Sequence, residues 1–554
     1  MRLPVVVSAA LLLAGAAAAG EIEAPRVTLS QVDWAAAAAS LSGHGSGPVA
    51  AEFARVNAVI DKRFPGIANS SVPVLLPIDI EAFRADFPGG KPQAAASDKY
   101  FGPFHPSKFF LPGPAGYSAT FWVRREDGVF KYQYRKAVEI EITGAAFIYE
   151  LDGPDHQEVF PVKDLQESFP GIQRILREAH VRYVFERFGV PYAVSIQCYN
   201  RRPSTKFLSC READPIAVAF LRKLSTAGGT PLPVRQPHLD LTQPEQKSPD
   251  FTYYGPGDLI LNSGWRKMPG RADYRVYADM RYPIADAPAY VISQSFMPWG
   301  DCYRTGHVGR RGRKGSPYRC KVNDIPLVFD ESASVNFNYP WRDNFCEWRD
   351  FHVGQCPGGY GHQGQDMRPA NCVIKNQGAD RCEPYRHTVA ATRDGLIWRT
   401  PGNLAAYIVV NTADDLVRFR YMHMNPNFMD EEELVSGRQV SRGEIIGKVA
   451  TWGDFERGTS YHLHFNIQVF TKVGWVWVNP YMSLVLAYER MIGARGTEIK
   501  PGDPEPVIPD KPPVIIDIPP AAATAGEDAK VGEAVQKPKA QKRRQTRKSR
   551  RKQR

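Results

Sequence analysis

Two short stretches almost a hundred residues apart, His362-Gln363-Gly364-Gln365-Asp366 and His462-Leu463-His464, supply imidazole and carboxylate groups of the kind that hold one zinc ion. A hydrolytic zinc takes three protein ligands and leaves a fourth position for water, and two histidines with one aspartate make such a set. In a strand a His-x-His pair puts both imidazoles on one face, because side chains alternate with period two. Only one of the pair need bind the metal. The other is then free to act as acid, base or hydrogen-bond donor. A further histidine, His423, sits in the apolar run Phe419-Arg420-Tyr421-Met422-His423-Met424 and is the natural partner for that role.

The elements that must position these groups read as strands. Tyr461 to Val469 alternates cleanly, with Leu463, Phe465 and Ile467 on the face opposite the histidines. Taken singly, each half of the pattern is more often ordinary than metallic. Taken in order, Gly361-His362-Gln363-Gly364-Gln365-Asp366, Val389 to Ile397, Tyr421-Met422-His423-Met424, Val440 to Gly447, His462-Leu463-His464-Phe465 and Val478-Asn479-Pro480 form a longer series, spanning about 357 to 485. That series resembles the lysostaphin-type, or LytM-domain, zinc endopeptidases that cut peptide cross-links in peptidoglycan. The resemblance implies that His362, Asp366 and His464 bind one zinc ion and that His423 and His462 assist catalysis, in either order of roles. Two departures touch the rim of the expected groove and no ligand position. Gly453 to Tyr461 replaces a Gly-rich run, and Tyr339-Pro340-Trp341-Arg342-Asp343 with a Cys-bounded loop replaces the usual segment ahead of the first ligand.

Other features concern the compartment. Met1-Arg2, an apolar run from Val5 to Ala19 and the small residues Ala17-Ala18-Ala19 read as a signal peptide over 1–20. The run is shorter than the roughly 20 residues a membrane span needs. Eight cysteines lie as close neighbours: Cys198 and Cys210, Cys302 and Cys320, Cys346 and Cys356, Cys372 and Cys382. None has the Cys-x-x-Cys spacing of a structural zinc or redox site; of the 105 possible pairings short loop closure favours nearest neighbours in an exported protein, with buried free thiols as the alternative. The expected location is the periplasm or cell envelope.

The chain of 554 residues has room for several domains. It reads as an α+β N-terminal region followed by a β-rich, antiparallel zinc peptidase domain and a disordered basic tail. A leader occupies 21–55, either a short helix or disordered. An α+β domain follows at 56–230, with strands at Val72–Pro77, Ser118–Val123 and Ala137–Ile142 and an amphipathic helix over Ile172–Arg187, in which His180 is a packing residue. Residues 231–345 form an irregular, Pro/Gly/Arg-rich β region, and the catalytic domain spans 346–490. Within the irregular region Arg304 to Lys321 is basic without an acidic residue; it reads as a solvated loop or as a contact for stem-peptide carboxylates or anionic envelope polymers. Trp265, Tyr290, Phe296 and Trp299 are core aromatics or sugar-stacking faces.

From 495 to 554 a Pro-rich spacer leads into Lys537–Arg554, which carries eleven Lys and Arg and no acid. The net charge is +11, so the rest of the precursor is near neutral. The tail's expected partner is an anionic membrane surface or envelope polymer, held electrostatically, and no nucleic acid is expected. The function that follows is an exported, zinc-dependent endopeptidase acting on peptidoglycan. The alternatives are a non-catalytic peptidoglycan-binding or amidase-activating protein, and a zinc peptidase with a protein substrate.

Overall fold

The computed structural model describes residues 21–42, 47–85, 98–152, 158–258, 264–285, 289–291, 301–304, 318–322, 325–326, 341–369, 385–399, 407–453, 456, 459, 461–500 and 502–504. Several expectations fall outside this set: the signal peptide, the Cys302 with Cys320 and Cys372 with Cys382 pairings, the basic loop between Arg304 and Lys321, the aromatic side chains of Tyr290, Phe296 and Trp299, most of the Pro-rich spacer, and the basic tail. Within it the chain is mostly antiparallel β-sheet with few helices.

The first large sheet has seven strands: β1 (His105–Gly113), β2 (Gly116–Val123), β3 (Val138–Ala145), β4 (Glu158–Pro161), β5 (Gln173–Arg177), β6 (His180–Arg187) and β7 (Val190–Gln197). They lie in the order β1-β2-β3-β7-β6-β5-β4, every neighbouring pair antiparallel. Strands were expected at two of these places, and they form. The helix expected over Ile172–Arg187 does not. That segment is the β5–β6 hairpin, with Arg177 opposite His180 across a two-residue turn. Glu178 and Ala179 both have positive φ, 49° and 57°, as a twist-matched hairpin turn requires. Neither is the Asn or Gly that usually marks such a turn. Meanwhile Val181, Tyr183 and Phe185 are buried in strand alternation, although the same run also fits a helical period.

Helices flank this sheet. In the leader, α1 (Trp34–Ser42) and α2 (Val49–Ile60) form, with the Trp34 and Phe53 rings 4.9 Å apart and edge to face. α3 (Cys210–Arg222) packs on β6 and β7. Its start is fixed by a capping box: the Ser209 side chain accepts from the Glu212 amide, and Glu212 reaches back to the Ser209 amide. The Cys198–Cys210 disulfide ties its first residue to the end of β7.

The second large sheet carries the site. Its strands are β8 (Ala289–Val291), β9 (Gln365–Pro369), β10 (Gly395–Trp398), β11 (Tyr407–Asn411), β12 (Val417–Met422), β13 (Gln439–Val440), β14 (Leu463–Thr471) and β15 (Gly474–Val478). The order is β8-β9-β14-β12-β11-β10-β13, with β15 also on β14. Both faces of β14 are buried along its whole length. Its Leu463, Phe465 and Ile467 face packs with Phe419 and Tyr421 of β12 in the main core, together with α4 (Tyr481–Ile492). Trp341, Phe251 and Tyr488 cluster at ring separations of 4.7–4.8 Å. The irregular region thus contributes core aromatics, and Trp265 stacks on Tyr360 at 5.0 Å.

The other face of β14, with His464, Asn466 and Gln468, turns at one end toward the seven-stranded sheet. The Arg418 guanidinium of β12 pairs with the Glu141 carboxylate of β3, both nearly out of reach of solvent. Trp475 Nε1 donates to Thr143 Oγ1 at 3.1 Å, and Trp398 Nε1 donates to Glu139 at 2.9 Å. Breaking a buried pair leaves one charge uncompensated and costs about 3–5 kcal/mol. Glu141→Ala is therefore expected to destabilise the protein by that amount, read from the midpoint of urea unfolding, whereas Glu150→Ala, in an exposed pair with Arg26, is expected to change it by less than about 1 kcal/mol.

Candidate metal centre

Three strands meet at the site in fixed register. Asp366 of β9 lies opposite His464 of β14, and Met422 at the end of β12 lies opposite His464 from the other side. His462 sits just before β14 and bridges to Ala450. His423 follows β12 directly, with φ of 70°.

His362 comes from the turn before β9 and is held by its backbone. Its amide donates to the Glu347 carbonyl at 2.7 Å, and its carbonyl accepts from the Cys346 amide at 3.0 Å. The Cys346–Cys356 disulfide closes the loop that supplies both partners. Nδ1 of the ring lies 3.0 Å from the Asn344 carbonyl, which can only accept, so Nδ1 carries the proton and Nε2 offers its lone pair inward. Two glycines permit the approach. A Cβ on Gly361 would stand 2.6 Å from Cys346 Cα, and one on Gly364 would stand 2.1 Å from the Phe465 carbonyl oxygen.

The disulfide closes a short loop, which makes its expected contribution about 3 kcal/mol in the chain-entropy account. Replacing Cys346 and Cys356 together by serine is expected to lower stability by roughly that much and to weaken metal binding. Calorimetric unfolding and a zinc titration on the variant check both.

Asp366 and His362 are at most 2 % exposed, and His464 is 7 % exposed. His362 Nε2 lies 2.9 Å from His464 Nδ1; Asp366 Oδ1 lies 2.8 Å from His464 Nδ1 and 3.3 Å from His362 Nε2. These separations approach the edge of a tetrahedron with metal bonds of about 2.0–2.1 Å, which is about 3.3 Å. Asp366 Oδ2 and His464 Nε2 are buried with no hydrogen-bond partner among the described residues. A buried carboxylate oxygen left so is costly unless something else meets it. Burial pushes the His464 imidazole down to about 3, with the His362 ring beside it acting the same way. Burial would raise Asp366, but the His362 and His462 rings hold its carboxyl well below the usual carboxylate range. A neutral imidazole and an ionised carboxylate are the states that bind a metal. In donor type and separation the three residues fit one zinc ion.

A second group shares His464. His423, His462 and His464 also bring ring nitrogens within 4.8 Å of one another, with the His423 and His462 rings 4.5 Å apart. His423 Nδ1 donates to the Trp452 carbonyl at 2.7 Å, which leaves Nε2 available toward the cluster. Burial and the neighbouring His462 and His464 rings lower the His423 pKa well below its ordinary value. His423 is the only partly exposed member of the cluster.

A supporting network beneath the ligands is less visible in the sequence. Gln365 accepts from the Asn344 amide at 3.0 Å and donates to Asp343 and to Asn479. Asn479 donates in turn to Asp343. Asn344 Oδ1 accepts from the Asp366 amide at 3.3 Å. These residues fix the backbone on both sides of His362 and Asp366. Burial pushes the Asp343 carboxyl up to about 6. Between about 4, the unfolded value, and 6 the folded state keeps a proton that the unfolded state has lost, so stability contributed here falls as pH rises. At about 1.4 kcal/mol per unit the loss is about 3 kcal/mol. The expectation is that wild type loses about that much more stability than Asp343→Asn between pH 4 and pH 7, read by urea unfolding at each pH.

No family model matches the chain, and no curated protein matches it. Among solved structures, a chain from Ruminococcus gnavus ATCC 29149 named as a glycyl-glycine endopeptidase, lytM, is 21% identical with a TM-score of 0.19, over 26% of this chain and 53% of that one. The antimicrobial peptidase lysostaphin from Staphylococcus simulans is 22% identical with a TM-score of 0.16, over 26% of this chain and 52% of that one. Helicobacter pylori Csd3 is 11% identical with a TM-score of 0.15, over 70% of this chain and 78% of that one. The chain thus spans about half the length of the first two.

Proposed function

We propose that the protein is an exported, zinc-dependent endopeptidase that hydrolyses peptide cross-links of peptidoglycan, with its catalytic domain at 346–490. The observation that carries this reading is the convergence of His362 Nε2, Asp366 Oδ1 and His464 Nδ1 within 3.3 Å of one another, beside two further imidazoles. The order of the sequence segments that resemble the lysostaphin type supports the substrate class. His362, Asp366 and His464 would hold one zinc ion, which when bound lowers the pKa of water toward about 7 and polarises the scissile carbonyl.

The remaining chemistry belongs to His423 and His462. In this reading both carry a proton between the attacking water and the leaving amine, and His423 would do so through Nε2, because its Nδ1 donates to the Trp452 carbonyl. Asn344 performs the same service for His362. Cys346–Cys356 and Cys198–Cys210 suit an oxidising compartment. No described helix is long and apolar enough to cross a membrane.

The test is incubation of the purified mature protein with purified peptidoglycan, with and without a chelator, and resolution of the products by mass. Chelator-sensitive release of un-cross-linked muropeptides, restored by zinc, is the expected result. Unchanged wall in the presence of one bound zinc per chain rules out peptidoglycan as substrate, and unchanged wall with no bound zinc rules out the enzyme.

A further inference from the structure

Between the two large sheets lies a tapering cavity that the zinc chemistry does not use. Its outer part, about 200 Å³, opens between the exposed side chains of Lys136, Lys206 and Phe207 and ends on Glu141, His180 and Trp398. Its inner part, about 60 Å³, continues past the same Glu141, His180 and Trp398. There Arg182 of β6, Arg418 and Arg420 of β12, and Trp477 of β15 close it. One wall is therefore the seven-stranded sheet, and the other is the face of the site sheet that bears His464. Along that face Arg420 stands opposite Asn466, which is two residues from His464.

The inner chamber is built for an anion. Three guanidiniums line it: Arg418 is paired with Glu141 and Arg182 with Glu178 at 3.4 Å, Glu139 lines the outer part, and among the described residues the lining of the inner part holds no second carboxylate to match the charge of Arg420. Arg182 and Arg418 are 2 % and 3 % exposed. Even so, Arg182 Nε and Nη1 and Arg418 Nε have no hydrogen-bond partner among the described residues. A buried N–H left this way carries its desolvation penalty unless an acceptor meets it. Trp475 and Trp477 stack on Arg418 and Arg420, with guanidinium carbons 3.5 and 4.1 Å from the ring centroids, and keep the donor forks in place. Arg420 is held further by Asn466 Oδ1 and Gln363 Oε1, each at 2.7 Å.

Size and charge select the ligand. The inner volume admits a few water-sized groups, enough for a carboxylate and the carbon beside it. A guanidinium fork matches the two oxygens of a carboxylate. The lysines at the mouth add a field of the same sign that draws an anion in. We propose that this cavity is a substrate subsite that takes a free carboxylate of the peptide arm, so that the N-terminal sheet supplies half of the binding surface. The assignment of the ligand to a peptide arm of peptidoglycan rests on the reading of the zinc centre given above.

The experiment uses the full mature chain carrying His362→Ala, which prevents turnover, and follows tryptophan fluorescence on titration with a soluble un-cross-linked muropeptide. Saturable binding is expected, weakened at least tenfold when the muropeptide's carboxylates are amidated. It is expected to weaken by a similar factor in Lys136→Ser/Lys206→Ser, both at exposed positions, and in Arg182→Gln, each where unfolding curves show the variant is folded. Equal binding of the free and amidated muropeptides, or binding indifferent to the lysine pair, overturns the subsite. Cleavage of peptidoglycan by the wild-type chain is scored separately. Carboxylate-dependent binding without cleavage upholds the subsite and overturns the endopeptidase; cleavage with equal binding of both probes does the reverse.

Discussion

Replacing His464 by alanine is expected to abolish zinc binding and to lower peptidoglycan hydrolysis on the order of a thousandfold or more, because His464 belongs to both groups of converging donors. The informative companion is His423→Ala. That change is expected to leave one zinc per chain and still to cut the rate by about 10²–10⁴, the usual worth of a positioned acid or base. Zinc content by atomic absorption and rate by muropeptide release separate the two. Loss of zinc in His423→Ala would place the metal among His423, His462 and His464 instead, and would falsify the assignment of Asp366 as a ligand.

Gly364→Ala is the second change with a large expected effect, although it adds only a methyl group. The new Cβ would meet the Phe465 carbonyl oxygen at 2.1 Å and the Asn466 side chain at 2.5 Å. Real Cβ atoms do not stand so close, and the nearer atom is backbone, which cannot swing aside. The strand β9 must then move off β14, and the register that sets Asp366 opposite His464 is lost. Zinc affinity is expected to fall on the order of 100-fold, in the upper part of the range for disturbed supporting residues. The alanine variant should remain largely folded, since the core face of β14 is untouched. A chelator competition titration measures the affinity, and wild-type affinity in the variant would show that β9 adjusts without cost.

The candidate residues could be picked out because they fall in three short segments, and the structure brings their side chains together. The strand over Leu463–Thr471 could be read from its pattern, and so could the placement of His464 opposite Leu463 and Phe465. That both faces of this strand are buried could not. Its polar face meets a second sheet whose residues are some three hundred positions away, as in the pairing of Arg418 with Glu141. The hairpin at Gln173–Arg187 was hidden for a local reason: its turn uses Glu178 and Ala179 at positive φ, without turn-forming residues to announce it. The Asp343, Gln365 and Asn479 network joins three parts of the chain, and each residue alone looks like ordinary surface polarity.

The laying of one sheet on the other also bears on how this gene can be cut and shuffled. A product beginning at 346 would carry Arg418, Trp398 and Trp475 into water, with Glu141, Glu139 and Thr143 removed from them. Such a remnant has lost one wall of its interior and exposes stacked indoles in its place, a surface prone to self-association. Productive recombination is therefore expected to keep the 105–197 and 363–478 segments together as an inherited pair, and sequence drift in β3 should track drift in β12. Limited proteolysis that nicks the chain between them is expected to yield two pieces that stay joined in solution rather than a free C-terminal piece.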